Sequence, residues 1–361
     1  MAFAYPSGNP GNTFVPSFEA SGQLVVSYSR NPKDFPVNQY ITLVPVKRSI
    51  GYFMQITAAN AARLLGTNSS GYLDGSDIVW ADGAKAPLGY FNTESFTFVP
   101  FVTTRFCPAV PLGYKAVEQS SWKIQAFHAA MLAQQAMTLR TARVVGNMLT
   151  TGNWPSTNFS TFQMAATNGG TSSTGFANAG TPTNPLLKYA LDYAAQQINL
   201  LTLGVVRPKD LVLVLQPNSA ARLADTQEVH TYLQQQVGSI KVIKGEDDFN
   251  PNEAWGLPRQ LYGYKIVVED AVQVTTPKGV AVSPAYIMSN NSMVLMARPG
   301  SLVGVEGAPS FSTIHIFSYE EMTVESMDDT NNRRHLLRVV DDYGVNNVSN
   351  ISGYLFTNLF S

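Results

Sequence analysis

Four histidines, a single cysteine and four short runs of carboxylates are the side chains in this sequence with the types to do chemistry. The histidines are His128, His230, His315 and His335, and none is paired at helical spacing with another His, Asp or Glu as metal ligands are. His128 stands mid-way along a helical stretch, where a packed histidine is the plainer reading. His315 alternates with Ile314 and Ile316, the pattern of a sheet face. Cys107 lies in the apolar run FVTTRFCPAV with no histidine or basic cluster to lower its pKa, so it reads as a small buried hydrophobe. Glu246-Asp247-Asp248, Glu320-Glu321, Asp328-Asp329 and Asp341-Asp342 have the types for the paired-carboxylate work of glycoside hydrolysis. Adjacent residues on a strand point to opposite faces, however, so neighbours in sequence do not share one site. Solvated turns are the expectation for all four runs. The stretch from Asp328 to Asn332 has the composition of a cation loop but lacks the glycine and distal glutamate of an EF-hand. No G-x-G-x-x-G, Walker lysine, H-E-x-x-H, C-x-x-C or G-x-S-x-G is present. The sequence assigns no catalytic, cofactor-binding or metal-binding residue, and no enzyme activity is expected.

The element that must organise the chain is KAVEQSSWKIQAFHAAMLAQQAMTLRTARVVGNMLTT, residues 115–151. It holds no proline and one glycine, Gly146, and its residues lose little rotamer entropy in a helix. GNWP after it is a stop signal. A single helix over this stretch would be a rod of roughly 50 Å. Ile124, Phe127, Met131, Thr138, Ala142 and Val145 fall close to one stripe, the face expected to be buried.

Charged residues make up only 14% of the chain, against 45% hydrophobic and 11% aromatic. A surface with so little charge is best explained by burial against partners. The net charge of −1 gives no support to a generalised polyanion binder. One cysteine makes no intrachain disulfide. The N-terminus lacks a basic region followed by an apolar run, and no apolar run approaches the 18 residues of a membrane span, so folding in a cytoplasm is expected.

In order along the chain, residues 1–39 are rich in Pro, Gly, Asn and Ser and cannot fold alone. They are either a frayed tail or an arm lying on a neighbouring subunit, and their aromatics favour the arm. QYITLVPVKRSIGYFMQIT and ESFTFVPFVTTRFCPAV read as two long extended runs. Pro45 and Pro100 within them argue for ribbon or edge geometry. Between them come a short helix at Ala58–Leu65 and a turn-rich stretch. After the spine, residues 167–184 form a Gly/Ser/Thr/Asn linker. Pro185 opens a second helix, with Leu187, Ala190, Leu191, Ala194, Ile198 and Leu201 at helical spacing. Leu211–Leu215 is apolar on both faces, a central strand. NSAARLADTQEVHTYLQQQ supplies two short helices, the first capped at Asn218 or Ser219. Residues 239–243 read as a strand and 244–259 as an exposed loop, and the remainder is mostly β. This is an α+β chain.

This order of elements resembles the major capsid protein of tailed phages, whose fold is named for phage Hong Kong 97. The stretches that carry the resemblance are YITLVPVKRSIGYFMQIT, AVEQSSW…AQQAMTLRTARVVGNMLTTGNWP, LVLVLQPNSAARLADTQEVHTYL, QLYGYKIVVEDA and RVVDDYGVNNVSNISGYLFTN, and together they span nearly the full length. The resemblance implies an N-terminal arm (1–39), an extended loop (40–112), a peripheral domain with the spine helix (113–184), an axial domain (185–305) and returning peripheral strands (306–361). It implies a homo-oligomer of hexamers and pentamers closing into an icosahedral shell around double-stranded DNA, located in the virion and assembled in the host cytoplasm. Scaffolding and portal proteins would be partners, with no membrane and no cofactor. Loops near 216–219 or 244–258 would lie close to the local axis. Arg140, Arg143, Arg333 and Arg334 would face the genome or form interface salt bridges. Some members cross-link a loop lysine to a neighbour's asparagine; Lys85 stands near the loop tip here, which by itself does not define that chemistry. Because the chain starts directly with the arm, scaffolding would be a separate protein or a segment already removed. The alternatives are an encapsulin-type shell enclosing protein cargo and, in another class, a cytoplasmic enzyme or carbohydrate-binding β protein.

Overall fold

Runs of β-branched and aromatic residues form the described strands of this chain, and runs rich in Ala, Leu and Gln form the two long helices among the described residues. The computed structural model describes residues 30–56, 82–83, 96–120, 123–161, 186–202, 204–226, 228–229, 231–232, 255–276, 280–300 and 310–359. The expectations for residues 1–29, the helix at 58–65, Lys85, the linker at 167–184, His230, the strand at 239–243 and Glu246-Asp247-Asp248 lie outside them.

The described elements are, in order, β1 (Thr42–Pro45), β2 (Ile50–Ile56), β3 (Phe96–Val102), β4 (Thr104–Phe106), β5 (Ala109–Gly113), α1 (Tyr114–Gln119), α2 (Ile124–Leu149), β6 (Phe159–Thr161), α3 (Leu186–Leu201), β7 (Leu211–Leu215) and α4 (Pro217–Ala224). They continue with β8 (Gln260–Leu261), β9 (Tyr264–Val268), β10 (Val272–Val274), β11 (Pro284–Tyr286), β12 (Ser292–Ala297), β13 (Ile314–Asp329), β14 (Arg334–Asn347) and β15 (Gly353–Thr357). The chain divides into two compact units: residues 1–32, 106–136 and 322–341 form one, and 33–105, 137–321 and 342–361 the other.

In the first unit, β14 pairs with β13 as a hairpin and antiparallel with β5, from Arg334↔Gly113 to Arg338↔Ala109. Leu112, Leu337 and Val339 of these strands are buried with Leu132 and Ala136 of α2. Around the hairpin end, Arg338 Nε bonds Glu325 at 2.6 Å, Arg334 Nε bonds Asp329 at 2.8 Å, and His335 Nδ1 meets Asp328.

In the second unit a six-stranded sheet runs β6-β15-β12-β7-β9-β8. Pairs β7–β9 and β15–β6 are parallel, and β12 is antiparallel to both of its neighbours. Leu211, Leu213 and Leu215 pack with Leu187, Leu191, Ala194 and Ile198 of α3, while Val212 and Val214 on the opposite face are equally buried. The N-terminus of α3 is closed from a distance: the buried Glu228 carboxylate accepts the backbone N–H of Leu187 at 3.0 Å and of Lys188 at 2.9 Å, and the Tyr262 hydroxyl at 3.0 Å. Two bonds to orphan helix N–H groups and a favourable dipole make this a tertiary N-cap.

Four expectations change. The rod is two helices, because α1 ends at Gln119 and Ser120 turns extended, its hydroxyl donating to the Val117 carbonyl at 2.9 Å. A serine at that point offers the backbone an alternative to the next helical turn. The 26 residues of α2 then span about 39 Å. Its buried face is also rotated from the expected stripe: Leu132, Ala136, Met137, Arg140, Thr141, Val144, Val145 and Met148 are buried, whereas Phe127, Met131, Thr138 and Ala142 are half-buried. Neither Asn218 nor Ser219 caps α4. Pro217 occupies its first turn after Gln216, and the Ser219 hydroxyl donates to the Asn290 carbonyl at 2.7 Å. Finally, residues 33–40 belong to the folded body. Phe35, Val37 and Tyr40 are buried, and the Tyr40 hydroxyl donates to Glu269 at 2.7 Å.

The end of α2 is tied by its closing residues, with Trp154 Nε1 donating to the Met148 carbonyl at 2.9 Å and Asn153 Nδ2 to Asn147 at 2.8 Å. Ala133→Pro removes a bond and clashes in mid-helix, so it lowers stability by about 3 kcal/mol or more; an unchanged urea midpoint would refute the continuous helix at that point.

Candidate assembly surface

The β2–β3 ribbon has two faces of unlike fate. Its register runs from Ile50↔Val102 through Tyr52↔Pro100 to Ile56↔Phe96, and directly opposed residues share a face. On one face Phe101 is buried and stacks on Phe317 of β13 at 4.5 Å, with Phe53 on the same ring at 5.5 Å. Gly51 makes room for this, since a Cβ there would lie 2.7 Å from the Phe101 ring. On the other face Ile50, Tyr52, Phe98 and Val102 stay exposed at 64%, 69%, 61% and 57%, flanked by the exposed Pro100. Burying such a side chain is favourable by about 2 kcal/mol, and a two-stranded ribbon gains little stability alone. A continuous apolar face of this kind marks an interaction site.

The base of the ribbon is fixed by backbone. Thr103 N donates to the Ser49 carbonyl at 2.8 Å, and Asn346 Nδ2 to the Pro100 carbonyl at 3.3 Å. Gly344 of β14 lies against the Val102 carbonyl, which a Cβ would approach to 2.3 Å. Arg105, just beyond, contacts Glu320 at 3.2 Å and Asp342 at 3.5 Å. Two further apolar strips are exposed in the same unit: Tyr189, Tyr193 and Leu200 on α3, and Val272, Val274, Val280 and Val282 at the β10–β11 ribbon.

Among the described residues, those weighed for chemistry do not gather at one site, the His335–Asp328 pair apart. Among the described residues no group of three or more His, Cys, Asp and Glu could hold a metal, and no helix is long and apolar enough to cross a membrane. His128 is half-buried beside Phe127. Cys107, expected inside, is exposed, because it follows the short β4 rather than lying within a sheet. Asp341 and Asp342 are not in a turn: they are mid-strand in β14, 1% and 6% exposed. Glu320 and Glu321 are likewise in a strand, β13. Arg140, considered for the genome, is buried with its guanidinium 5.2 Å from the centroid of the Tyr343 ring, a cation–π contact.

His315 is buried in β13 and accepts the Ser312 N–H on Nε2 at 3.3 Å; burial pushes its pKa down to about 4. The folded chain therefore holds it neutral, whereas the unfolded chain protonates it near about 6.5. Its contribution is present above about pH 6.5 and is lost as pH falls through 4, a change of about 3 kcal/mol. Urea midpoints of the native chain should fall more steeply over that window than those of His315→Gln, and parallel curves would refute the burial argument.

No protein-family model and no curated protein matches this sequence. Solved structures do. The capsid of cyanophage P-SCSP1u is 10% identical, covers 100% of both chains and superposes with a TM-score of 0.55. A phage-related protein of Bordetella bronchiseptica RB50 is 12% identical over 88% of this chain and 90% of its own, TM-score 0.54. The capsid of an empty GTA particle is 12% identical over 93% of each chain, TM-score 0.52. The α+β fold of this chain is the capsid fold of tailed phages, the Hong Kong 97 type.

Proposed function

We propose that this chain is a major capsid protein, which self-assembles as hexamers and pentamers into a closed icosahedral shell around the double-stranded DNA of a tailed phage or prophage. The observation that carries the reading is the exposed apolar face of the β2–β3 ribbon, Ile50, Tyr52, Phe98 and Val102, on a chain with the capsid fold. The opposite face is anchored by Phe53 and Phe101 on Phe317. The ribbon is thus held by its own subunit and offers its free face to a neighbour. In this scheme residues 1–39 are an arm that joins the folded body over its last residues, 33–39, with 40–112 the extended loop, 113–184 and 306–361 the peripheral domain, and 185–305 the axial domain. The function is geometric, since one chain must make both rings of a closed shell. Many modest contacts per subunit then combine as avidity. Scaffolding and portal proteins are the expected partners, with assembly in the host cytoplasm.

Light scattering with negative-stain microscopy on the purified full chain tests this. Polyhedral particles of megadalton mass that protect DNA from nuclease when packaged in the native setting are expected. A 39.2 kDa monomer that stays monomeric with its genomic neighbours supplied would overturn the reading, and particles filled with protein cargo would replace it with a compartment shell.

A further inference from the structure

We propose that the end of the six-stranded sheet where β7 and β9 begin and β12 finishes is a sequence-independent contact for nucleic-acid phosphates, carried by Arg207, Lys209, Arg259, Lys265 and Arg298; this rests on the capsid reading. Topology brings these five together from a wide span of sequence. Strands β7 and β9 are parallel, so Arg207 and Lys209 before the one and Lys265 within the other lie at the same end. Arg259 precedes β8, which runs antiparallel to β9, and its carbonyl accepts the Ile266 N–H at 2.9 Å, one residue beyond Lys265. β12 runs antiparallel to β7, with Ala297 opposite Leu211, so Arg298 arrives there too, its N–H on the Asp210 carbonyl at 3.1 Å. Val212 of β7 stands between Lys265 of β9 and Met296 of β12 in register.

Three features set this group apart from ordinary surface charge. Arg207, Lys209 and Arg259 are exposed while Lys265 and Arg298 are half-buried, so the cluster has both depth and reach. The Nε of Arg298 is buried without a hydrogen-bond partner among the described residues. Lys265 has its pKa lowered by burial and then by Arg298 and Arg259, so these three cations lie in one another's field. Asp210, the acid between Arg207 and β7, is buried and takes the Arg207 N–H at 3.3 Å. Cations that lie in one another's field attract an external anion more strongly than separated ones.

A polyanion fits better than an acidic patch on a second copy. Five of the carboxylates along the β13–β14 hairpin are already engaged: Glu320 and Asp342 with Arg105, Glu325 with Arg338, Asp328 with His335 and Asp329 with Arg334. A duplex presents one charge per about 1.7 Å of axis, which suits cations spread over three strands. The net charge of −1 for the whole chain is a sum and leaves room for a local group of cations.

The test is fluorescence anisotropy of a labelled mixed-sequence DNA duplex with the full-length chain, below the concentration at which light scattering detects assembly. Five phosphate contacts at about −0.9 each predict a slope of log affinity against log salt of about −4.5, a loss of about 500-fold from about 50 to about 200 mM salt. Arg207→Gln/Lys209→Gln/Arg259→Gln, which spares the half-buried pair, should bring the slope to about −1.8. Arg333→Gln/Arg334→Gln at the hairpin end should leave it unchanged. Native protein that forms shells but shows no salt-dependent DNA binding overturns the proposal and spares the capsid reading. A triple variant that binds DNA as the native chain does but no longer forms shells also overturns it, and makes the cluster a contact between copies. Binding weakened in the triple variant with no shells from any form supports the site and sinks the capsid reading alone.

Discussion

Gly344→Ala lowers the stability of the folded chain by about 3 kcal/mol, at the upper end of what overpacking costs. The added Cβ would sit 2.3 Å from the Val102 carbonyl oxygen, 3.1 Å from its carbon and 3.5 Å from Thr103 Cα. All three are backbone atoms, so no rotamer change relieves the clash. Nor can the β3 backbone retreat freely, because Thr103 N is bonded to the Ser49 carbonyl at 2.8 Å and Phe101 is stacked on Phe317 at 4.5 Å. The strand must shift as a unit and give up part of that anchorage. Urea unfolding reads the effect directly. Gly146→Ala is the control: it sits in the helix α2 with nothing within 4 Å of the new Cβ, and it should stabilise by about 0.5–1 kcal/mol. An unchanged midpoint for Gly344→Ala would mean that the close approach of β14 to β3 is not a feature of the folded chain.

Tyr52→Asp/Phe98→Asp abolishes shell formation and leaves the subunit folded. Both side chains are more than half exposed in the single chain, at 69% and 61%, and surface changes away from packed features alter stability by about 0.5 kcal/mol or less each. In an assembled shell the same positions would lose about 2 kcal/mol of apolar burial each and place an unpaired carboxylate in a dry contact, which costs several kcal/mol more. Because each subunit repeats the loss, the effect on a closed shell multiplies. Light scattering should show no large particles, while circular dichroism and the thermal midpoint stay near those of the native chain. Normal shells from the double variant would remove this face from the assembly surface.

Much of the secondary structure was legible because its causes are local. The 3.6-residue spacing of Leu187, Leu191, Ala194 and Ile198 placed a helix at Leu186–Leu201, and the unbroken apolar run Leu211–Leu215 marked a strand buried on both faces. Pro100 within FTFVPFV pointed to a ribbon rather than a central strand, and among the described residues β3 pairs with β2 in a two-stranded sheet. Capping was less legible. Asn218 and Ser219 have the right types for a helix start, yet Pro217 takes the first turn of α4, and the start of α3 is closed by the distant Glu228.

By itself, then, the sequence determined most of the element types and their order among the described residues, and that order, with the wording of its stretches, carried the resemblance to the capsid fold. Only the tertiary structure decided which faces meet. The buried stripe of α2 runs through Arg140, which periodicity would never assign to an interior, because the Tyr343 ring supplies a partner 5.2 Å away from a strand some two hundred residues on. Asp341 and Asp342 look like a turn and are mid-strand for the same reason: burial depends on what lies across the sheet, and that is a long-range fact. Cys107 has the opposite fate, apolar neighbours in sequence and solvent in space. The ribbon's exposed face and the cations gathered at one end of the sheet follow from strand register and direction, which pair residues far apart in the chain and which no local spacing encodes.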